Sequence, residues 1–309
     1  MMSKRFDVIT VLDTCVDLMM QGDVVPRFGQ AEQVVDSYFL EMGGSACIFA
    51  CQCAKLGLKT AGVGAVGADA FGDLALERLG QAGVDVSAVS RGGGIQTGLG
   101  LALCKPGGDR AILTVLGTID WADPTVMEAL LPQARHLHIA SYYLMTRMRP
   151  HWPQLLRQAK ALGLTTSLDT NWDPAERWDG VDDLYPHLDI LFPNEAELQA
   201  FTGVAELEEA ARVLAQKVPL VAVKLGAKGA MAFRYNGESA FCPASTLDTV
   251  DTVGAGDTFD GGFLYGFLNG RSLDECLQAG VFCAGRSVTK PGGFLGQPKL
   301  SGLNENKKG

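Results

Sequence analysis

Short apolar runs alternate with longer stretches of helical periodicity through most of the chain. The runs DVITVL (7–12), TAGVGAV (60–66), HLHIA (136–140), TTSLD (165–169), LDILF (188–192) and LVAVKL (220–225) have the length and make-up of strands. Apolar residues recur at helical spacing over 45–57, 71–83, 151–163, 195–203, 207–216, 257–270 and 273–288. Gly57, Gly83, Gly163, Gly203 and Gly270 close five of these stretches, as a left-handed C-terminal cap requires. Alternation at this spacing predicts βαβ units and an α/β fold with a mostly parallel sheet covered on both faces. Two regions break the rhythm. Residues 15–41 carry no helical pattern, and 97–118 read as a hairpin, TGLGLALCK then RAILTVLGT, joined by PGGD. Together they predict a small β appendage, suited to be a lid over a cleft.

Composition narrows the function classes. A chain of 309 residues, 47% hydrophobic, suffices for one large α/β domain or two smaller ones. The net charge of −9 argues against nucleic acid or an anionic membrane surface as a steady partner, while leaving room for a small anion at a local site. No run of 18 apolar residues occurs, and Asp7, Asp13 and Asp17 interrupt the apolar start, so neither a membrane span nor a signal peptide is expected. Eight cysteines without a secretion signal read as reduced thiols of a cytoplasmic protein. Cys47, Cys51 and Cys53 fall at helical spacing and read as small buried side chains. His136 and His138 would share one face of a strand, with no third metal ligand in view. The tail NENKKG is expected to fray.

Two glycine motifs compete for attention. Gly62-Val-Gly64-Ala-Val-Gly67 satisfies a dinucleotide fingerprint, with Asp85 eighteen residues on, but GADAFG separates it from the helix it should open. In DTVGAGDTFDGG (251–262), by contrast, Gly254-Ala255-Gly256 lies directly before a helix, whose first N–H groups would be free to face an anion. Asp257 could simply cap that helix. A cap explains neither the preceding glycines nor Gly261-Gly262 inside the helix, where each costs about 1 kcal/mol relative to Ala. Something is expected to pack closely there. Asp260 reads as a first-turn acid favoured by the helix dipole.

The stretch 251–263 closely resembles the C-terminal signature of the ribokinase-like (PfkB) carbohydrate kinases. Four further elements follow in the family's order: Gly43-Gly44-Ser45 leading into a helix, GAVGADAFG (64–72), PNEAEL (193–198) and KLGAKG (224–229). The resemblance spans nearly the whole chain and absorbs Gly64 and Gly67, which retires the dinucleotide reading. It implies a single 1–309 domain of three-layer α/β/α architecture, with a discontinuous β lid from about 15–41 and 97–118. It implies transfer of a phosphoryl group from ATP, with Mg2+, to a hydroxyl of a free sugar or sugar acid. Asp257 would be the general base, and the amides of Gly254, Ala255, Gly256 and Asp257 the anion hole. Asn194, Lys224, Gly226 and Gly229 would hold the nucleotide, and Glu197 would hold Mg2+ through water. Asn194 and Glu197 could equally form a capping box. Asp251, the carbonyl of Val253 and Gly292 match a monovalent-cation site for K+, although Asp251 could also be a turn residue.

The acceptor sugar would meet Asp13, Asp17, Gly43, Gly44, Ile48, Asp169 and Asn171, with Arg110 reaching in from the lid. Three positions depart from the family pattern. Ile48 stands where an Asn is usual, Leu12 where a Gly is usual, and Asp173 where a basic residue is common. An Ile cannot hydrogen-bond a hydroxyl, so the sugar's identity is left open. A homodimer with paired lids is the family expectation. The alternatives are a nucleoside kinase, with Phe28, Tyr38 or Phe39 as an aromatic platform, and a catalytically inactive binding protein on the same fold.

Overall fold

The computed structural model describes residues 4–106 and 109–305; the turn glycines Gly107 and Gly108 and the tail from 306 lie outside the described residues. The strands are β1 Phe6–Val11, β2 Cys15–Gln21, β3 Ser37–Gly43, β4 Thr60–Val66, β5 Asp85–Arg91, β6 Gly98–Cys104, β7 Arg110–Val115, β8 Ala134–Ile139, β9 Thr165–Leu168, β10 Ile190–Leu191, β11 Leu220–Lys224, β12 Ala230–Arg234 and β13 Ser239–Cys242. The helices are α1 Ser45–Lys55, α2 Ala70–Ala82, α3 Pro124–Leu130, α4 Trp152–Ala161, α5 Glu195–Thr202, α6 Leu207–Leu214, α7 Ala255–Leu268, α8 Leu273–Ser287, α9 Gly292–Leu295 and α10 Leu300–Glu305.

The large sheet runs β13-β12-β11-β10-β9-β8-β1-β4-β5. Every pair from β11 to β5 is parallel, and β12 and β13 add an antiparallel edge. Its inner strands are buried on both faces, as their near-continuous apolar runs require, while the edge strands β5 and β13 are partly exposed. Alternate residues of one strand feed opposite cores. Ile9 and Val11 join one with Trp152, Leu156 and Leu214, while Val8 joins the other with Phe49, Phe192 and Phe263. In the second core the Phe263 ring meets Phe192 at 5.4 Å and 83°, and Phe259 at 5.9 Å. Phe263 is fully buried. Phe263→Ala should therefore lower unfolding free energy by about 3–5 kcal/mol in urea, and a loss under about 1 kcal/mol would contradict this packing.

A second sheet, β3-β2-β6-β7, is built from the two segments that broke the helical rhythm. β2 pairs antiparallel with β3 and parallel with β6, and β7 closes the expected hairpin with β6. Sequence periodicity missed β5, α3 and the β12–β13 hairpin. β5 is a half-exposed edge strand with polar residues on both faces, so it lacks a continuous apolar run. α3 is only seven residues long.

Other expectations are settled by local contacts. α7 begins at Ala255 rather than 257, and Gly261 and Gly262 sit inside it. A Cβ on Gly261 would lie 2.9 Å from Gln52 of α1, and one on Gly262 would lie 2.6 Å from the Ala279 carbonyl of α8. Close helix packing is thus the reason for both. Cys47, Cys51 and Cys53 are buried in α1. His136 and His138 are buried too, their rings hydrogen-bonded to Thr165 and Ser167. Among the described residues, no helix is long and apolar enough to cross a membrane.

Candidate active site

The parallel strands deliver their C-terminal ends to one edge of the sheet, where α/β folds place their ligands. Asp13 lies just past β1, Ser141 past β8, Asp169 and Asn171 past β9, Asn194 past β10, and Lys224 ends β11. The Asp13 carboxylate accepts the Ser45 N–H at 2.8 Å and the Ala46 N–H at 3.0 Å, together with the Ser141 hydroxyl. It thereby caps α1, whose own N-cap, Gly44, has no side chain to do so. A Cβ on Gly44 would stand 2.4 Å from the Asp13 carbonyl, at a φ of +89°. Burial pushes Asp13 up to about 6 despite these donors.

Asp17, on β2, presses against the backbones of Gly43 and Gly100, where a Cβ would meet its carboxylate at 2.5 and 2.6 Å. Burial pushes it up to about 6, Asp13 and Asp251 add to this, and Arg110 opposes it. Ser141, at a φ of +51°, donates its N–H to the Asn171 side chain at 2.7 Å. Asn171, at a φ of +53°, reaches on to Asp257, its amide nitrogen 3.4 Å from Oδ1. Backbone strain of this kind is characteristic of functional sites. Ser141 carried no sequence signal, because its partners lie 30 and 128 positions away.

Gly254 forms the N-cap of α7 at a φ of +69° and offers no side-chain cap. The first intrahelical bond runs from the Thr258 N–H to the Gly254 carbonyl. The amides from Gly254 to Asp257 therefore stand ahead of the helical ladder, at the positive end of its dipole, with the Ala255 N–H donated to the Thr252 carbonyl at 3.3 Å. Asp257, the third helical residue, is buried. Burial, then the neighbouring Asp169, pushes its carboxyl up to about 7, and Lys224 opposes this. Asp251 accepts the Val253 N–H at 3.0 Å and the Gly292 N–H at 2.8 Å, so the three positions expected to hold a monovalent cation converge. The Arg110 guanidinium stands 3.9 Å from the same carboxylate, joining the lid to this loop.

On the other side of the loop, Asn194 and Glu197 form the capping box of α5. Glu197 Oε2 accepts the Asn194 N–H at 2.9 Å, and Oε1 accepts the Asn194 amide at 2.7 Å. Burial, then Asp169, pushes Glu197 up to about 7. Lys224 donates to Asp169 at 2.5 Å. A cavity of about 470 Å³ is lined by Lys224, Gly226, Gly229, Ala255, Gly256 and Val281. A second cavity, of about 570 Å³, lies against the small sheet between Met19, Phe39, Arg110, Asp251 and Pro291. The two share Thr249 and Thr252 as a common wall beside the anion loop.

The three positions that depart from the family pattern each have local partners. Ile48 is only 2% exposed and packs beneath the loop, where a Cβ on Gly254 would meet it at 2.9 Å and one on Gly293 at 2.4 Å. Its structural part is support for the loop. Leu12 fills the space that Gly62 leaves on the neighbouring strand, where a Cβ would come within 2.3 Å of it. That contact accounts both for the departure at 12 and for a glycine of the false dinucleotide motif. Asp173 is turned into its own loop, accepting the N–H groups of Ala175, Arg177 and Trp178. Of the three aromatic residues considered for a platform, Phe28 is almost fully exposed, Tyr38 is exposed, and Phe39 lines the lid cavity.

Residues 9–300 match the pfkB family of carbohydrate kinases. The chain belongs to this family. It is 31% identical over 280 residues to the 2-dehydro-3-deoxygluconokinase of Bacillus subtilis, covering 85% of this chain and 86% of that one. The Arabidopsis thaliana ribokinase solved with ribose and ATP superposes with a TM-score of 0.84 at 25% identity, covering 98% of each chain. An E. coli protein described as a ribokinase II, solved with ATP and Mg2+, gives 0.85 at 25% identity, covering 98% of this chain and 99% of that one. The fold is that of the ribokinases, and the protein is a phosphotransferase acting on a sugar hydroxyl.

A pH dependence follows for this pfkB family kinase. The expected role of Asp257 as base requires its carboxyl to be ionised, and that carboxyl is raised to about 7. Log kcat/KM should therefore climb with pH through an acid limb near 7 and level off above it. Glu197, also raised to about 7, makes the apparent value a property of the cluster. A flat profile across roughly pH 5 to 9 would contradict this.

Proposed function

We propose that the chain transfers the γ-phosphoryl group of ATP to a hydroxyl of a free sugar or sugar acid, of the fructose, ribose or 2-keto-3-deoxygluconate type. The observation that carries this reading is the Gly254–Asp257 loop, flanked by two cavities, with its amides ahead of the helix ladder and its carboxylate buried beside them. Phosphoryl transfer needs positioning, stabilisation of the moving charge and a base at the attacking oxygen. The sugar would lie under the lid against Asp17, Gly43-Gly44 and Asn171, with Asp13 holding the glycine turn in place. Asp257 would accept the hydroxyl proton while the loop amides stabilise the phosphoryl group.

The nucleotide would occupy the cavity beside Lys224, Gly226 and Gly229. Buried Asp169, Glu197 and Asp257 gather around Lys224, which lines this cavity, and this excess of acid fits a divalent cation held largely by phosphates and water. Glu197, oriented by Asn194, would hold Mg2+, which neutralises phosphate charge when bound. Asp251, Val253 and Gly292 would hold K+ beside the anion loop. Asp13 and Asp17 favour an acceptor without a phosphate. Eight free thiols fit a reducing, cytoplasmic compartment. The exposed Ile112, Leu113 and Val115 of β7 fit pairing with a second lid in a homodimer.

The test is ADP release from Mg·ATP across a panel of sugars, sugar acids and nucleosides. A free sugar or sugar acid should give the highest kcat/KM. Preference for a nucleoside would select the nucleoside-kinase reading, and no release with any acceptor would select the inactive binding protein.

A further inference from the structure

We propose that Asp260 is a neutral acid that fixes Lys224 against the anion loop by donating a hydrogen bond to Asp169, a positioning residue for phosphoryl transfer. The proposal rests on the kinase reading of this site.

Asp260 lies one turn beyond Asp257 in α7 and is fully buried, beyond the reach of a first-turn dipole role. Among the described residues, no donor hydrogen-bonds either of its oxygens. Its nearest cation, Lys224 Nζ, is 3.7 Å away and sits 2.5 Å from Asp169 instead. Asp169 also accepts the Asn171 N–H at 3.1 Å, and its Oδ2 and that of Asp260 converge on the one Lys224 ammonium, at 2.5 and 3.7 Å. Even before Glu197 and Asp257 are counted, Asp169 and Asp260 around the one Lys224 ammonium leave a net buried negative charge, and adjacent carboxyls resist double ionisation. One proton resolves this. Asp169 already holds two donors, so it is the ionised partner, and a protonated Asp260 becomes its third donor. Burial raises Asp260 well above the usual carboxylate range, in accord with this assignment.

The consequence reaches the phosphoryl group through Lys224. A Cβ on Gly256 would lie 3.4 Å from Lys224 Cδ and 3.5 Å from Nζ, so the ammonium runs alongside the first turn of α7. It lines the nucleotide cavity from there. Amide dipoles and a fixed ammonium would then flank the same anion. Asp169 and Asp257 are also joined through Asn171, which gives its N–H to one and its side chain to the other. Loosening Asp169 would therefore disturb both the cation and the base.

The test compares Asp260→Val, which keeps the volume and loses the donor, with Asp260→Asn, which keeps a neutral donor. The valine variant should lose about tenfold to a hundredfold in kcat, with ADP affinity unchanged within about twofold, and Asn should restore most of the loss. Combining Asp260→Val with Lys224→Met should be strongly non-additive, because both remove one function. Independently of turnover, the infrared difference between wild type and Asp260→Asn at mildly alkaline pH should show the carbonyl band of a protonated carboxyl disappearing. That arm stands even if the valine variant fails to fold or the wild type proves inactive. Equal impairment by Asn and Val, wild-type turnover by Val, additive losses, or absence of the infrared band would each overturn the proposal. A wild type that releases no ADP would overturn the kinase reading instead.

Discussion

Asp257→Asn is expected to lower kcat by about 10²–10⁴-fold, the range typical of a lost general base, while Kd for ATP changes little. The substitution is nearly isosteric, so the Gly254–Asp257 backbone and its amides should stay in place. Asn171 already donates to this position at 3.4 Å, and an asparagine oxygen can still accept that bond. What disappears is the capacity to take a proton from the attacking hydroxyl. Single-turnover phosphoryl transfer, measured beside equilibrium ATP binding, separates the two effects. Turnover within about threefold of wild type would remove Asp257 from the chemistry.

Gly254→Ala is the second large effect, and it acts through backbone. At a φ of +69°, an L-residue pays about 1–2 kcal/mol for the left-handed conformation. The added Cβ would also lie 2.8 Å from Gly293 Cα and 2.9 Å from Ile48 Cδ1. Gly293 is main chain and cannot rotate aside, so the loop must move. A displacement on the order of 1 Å at a reacting centre costs about 10² in rate. The variant should therefore lose about 10²-fold in kcat and about 1–3 kcal/mol in urea unfolding free energy. Wild-type kcat in Gly254→Ala would show that the loop does not need its present geometry.

Much of this architecture is legible in the sequence because its signals are local. The βα alternation, the hairpin at 97–118 and the anion loop are each written within a dozen or so neighbouring residues. The capping box of Asn194 and Glu197 is equally local. Other features depend on contacts between distant positions. Leu12 looks like a damaged motif until Gly62 is found beside it. Ile48 looks like an altered sugar contact until it is found packed against Gly254 and Gly293. Asp260 passes for a first-turn acid favoured by the helix dipole, because spacing along one helix does not show that it shares Lys224 with Asp169. Edge strands such as β5 escape because half-exposed residues weaken the apolar pattern that marks a strand.

In the proposed reaction the two partners of one transfer meet at the Gly254–Asp257 loop, the nucleotide in the cavity beside Lys224 and the sugar against Asp17, Gly43-Gly44 and Asn171. Phosphorus NMR of the wild-type protein with Mg·ATP and its best acceptor tests this most directly. ADP and a single phosphomonoester of the sugar should appear in equal amounts, with formation dependent on the sugar. ADP accompanied by inorganic phosphate at a rate indifferent to the sugar would contradict it.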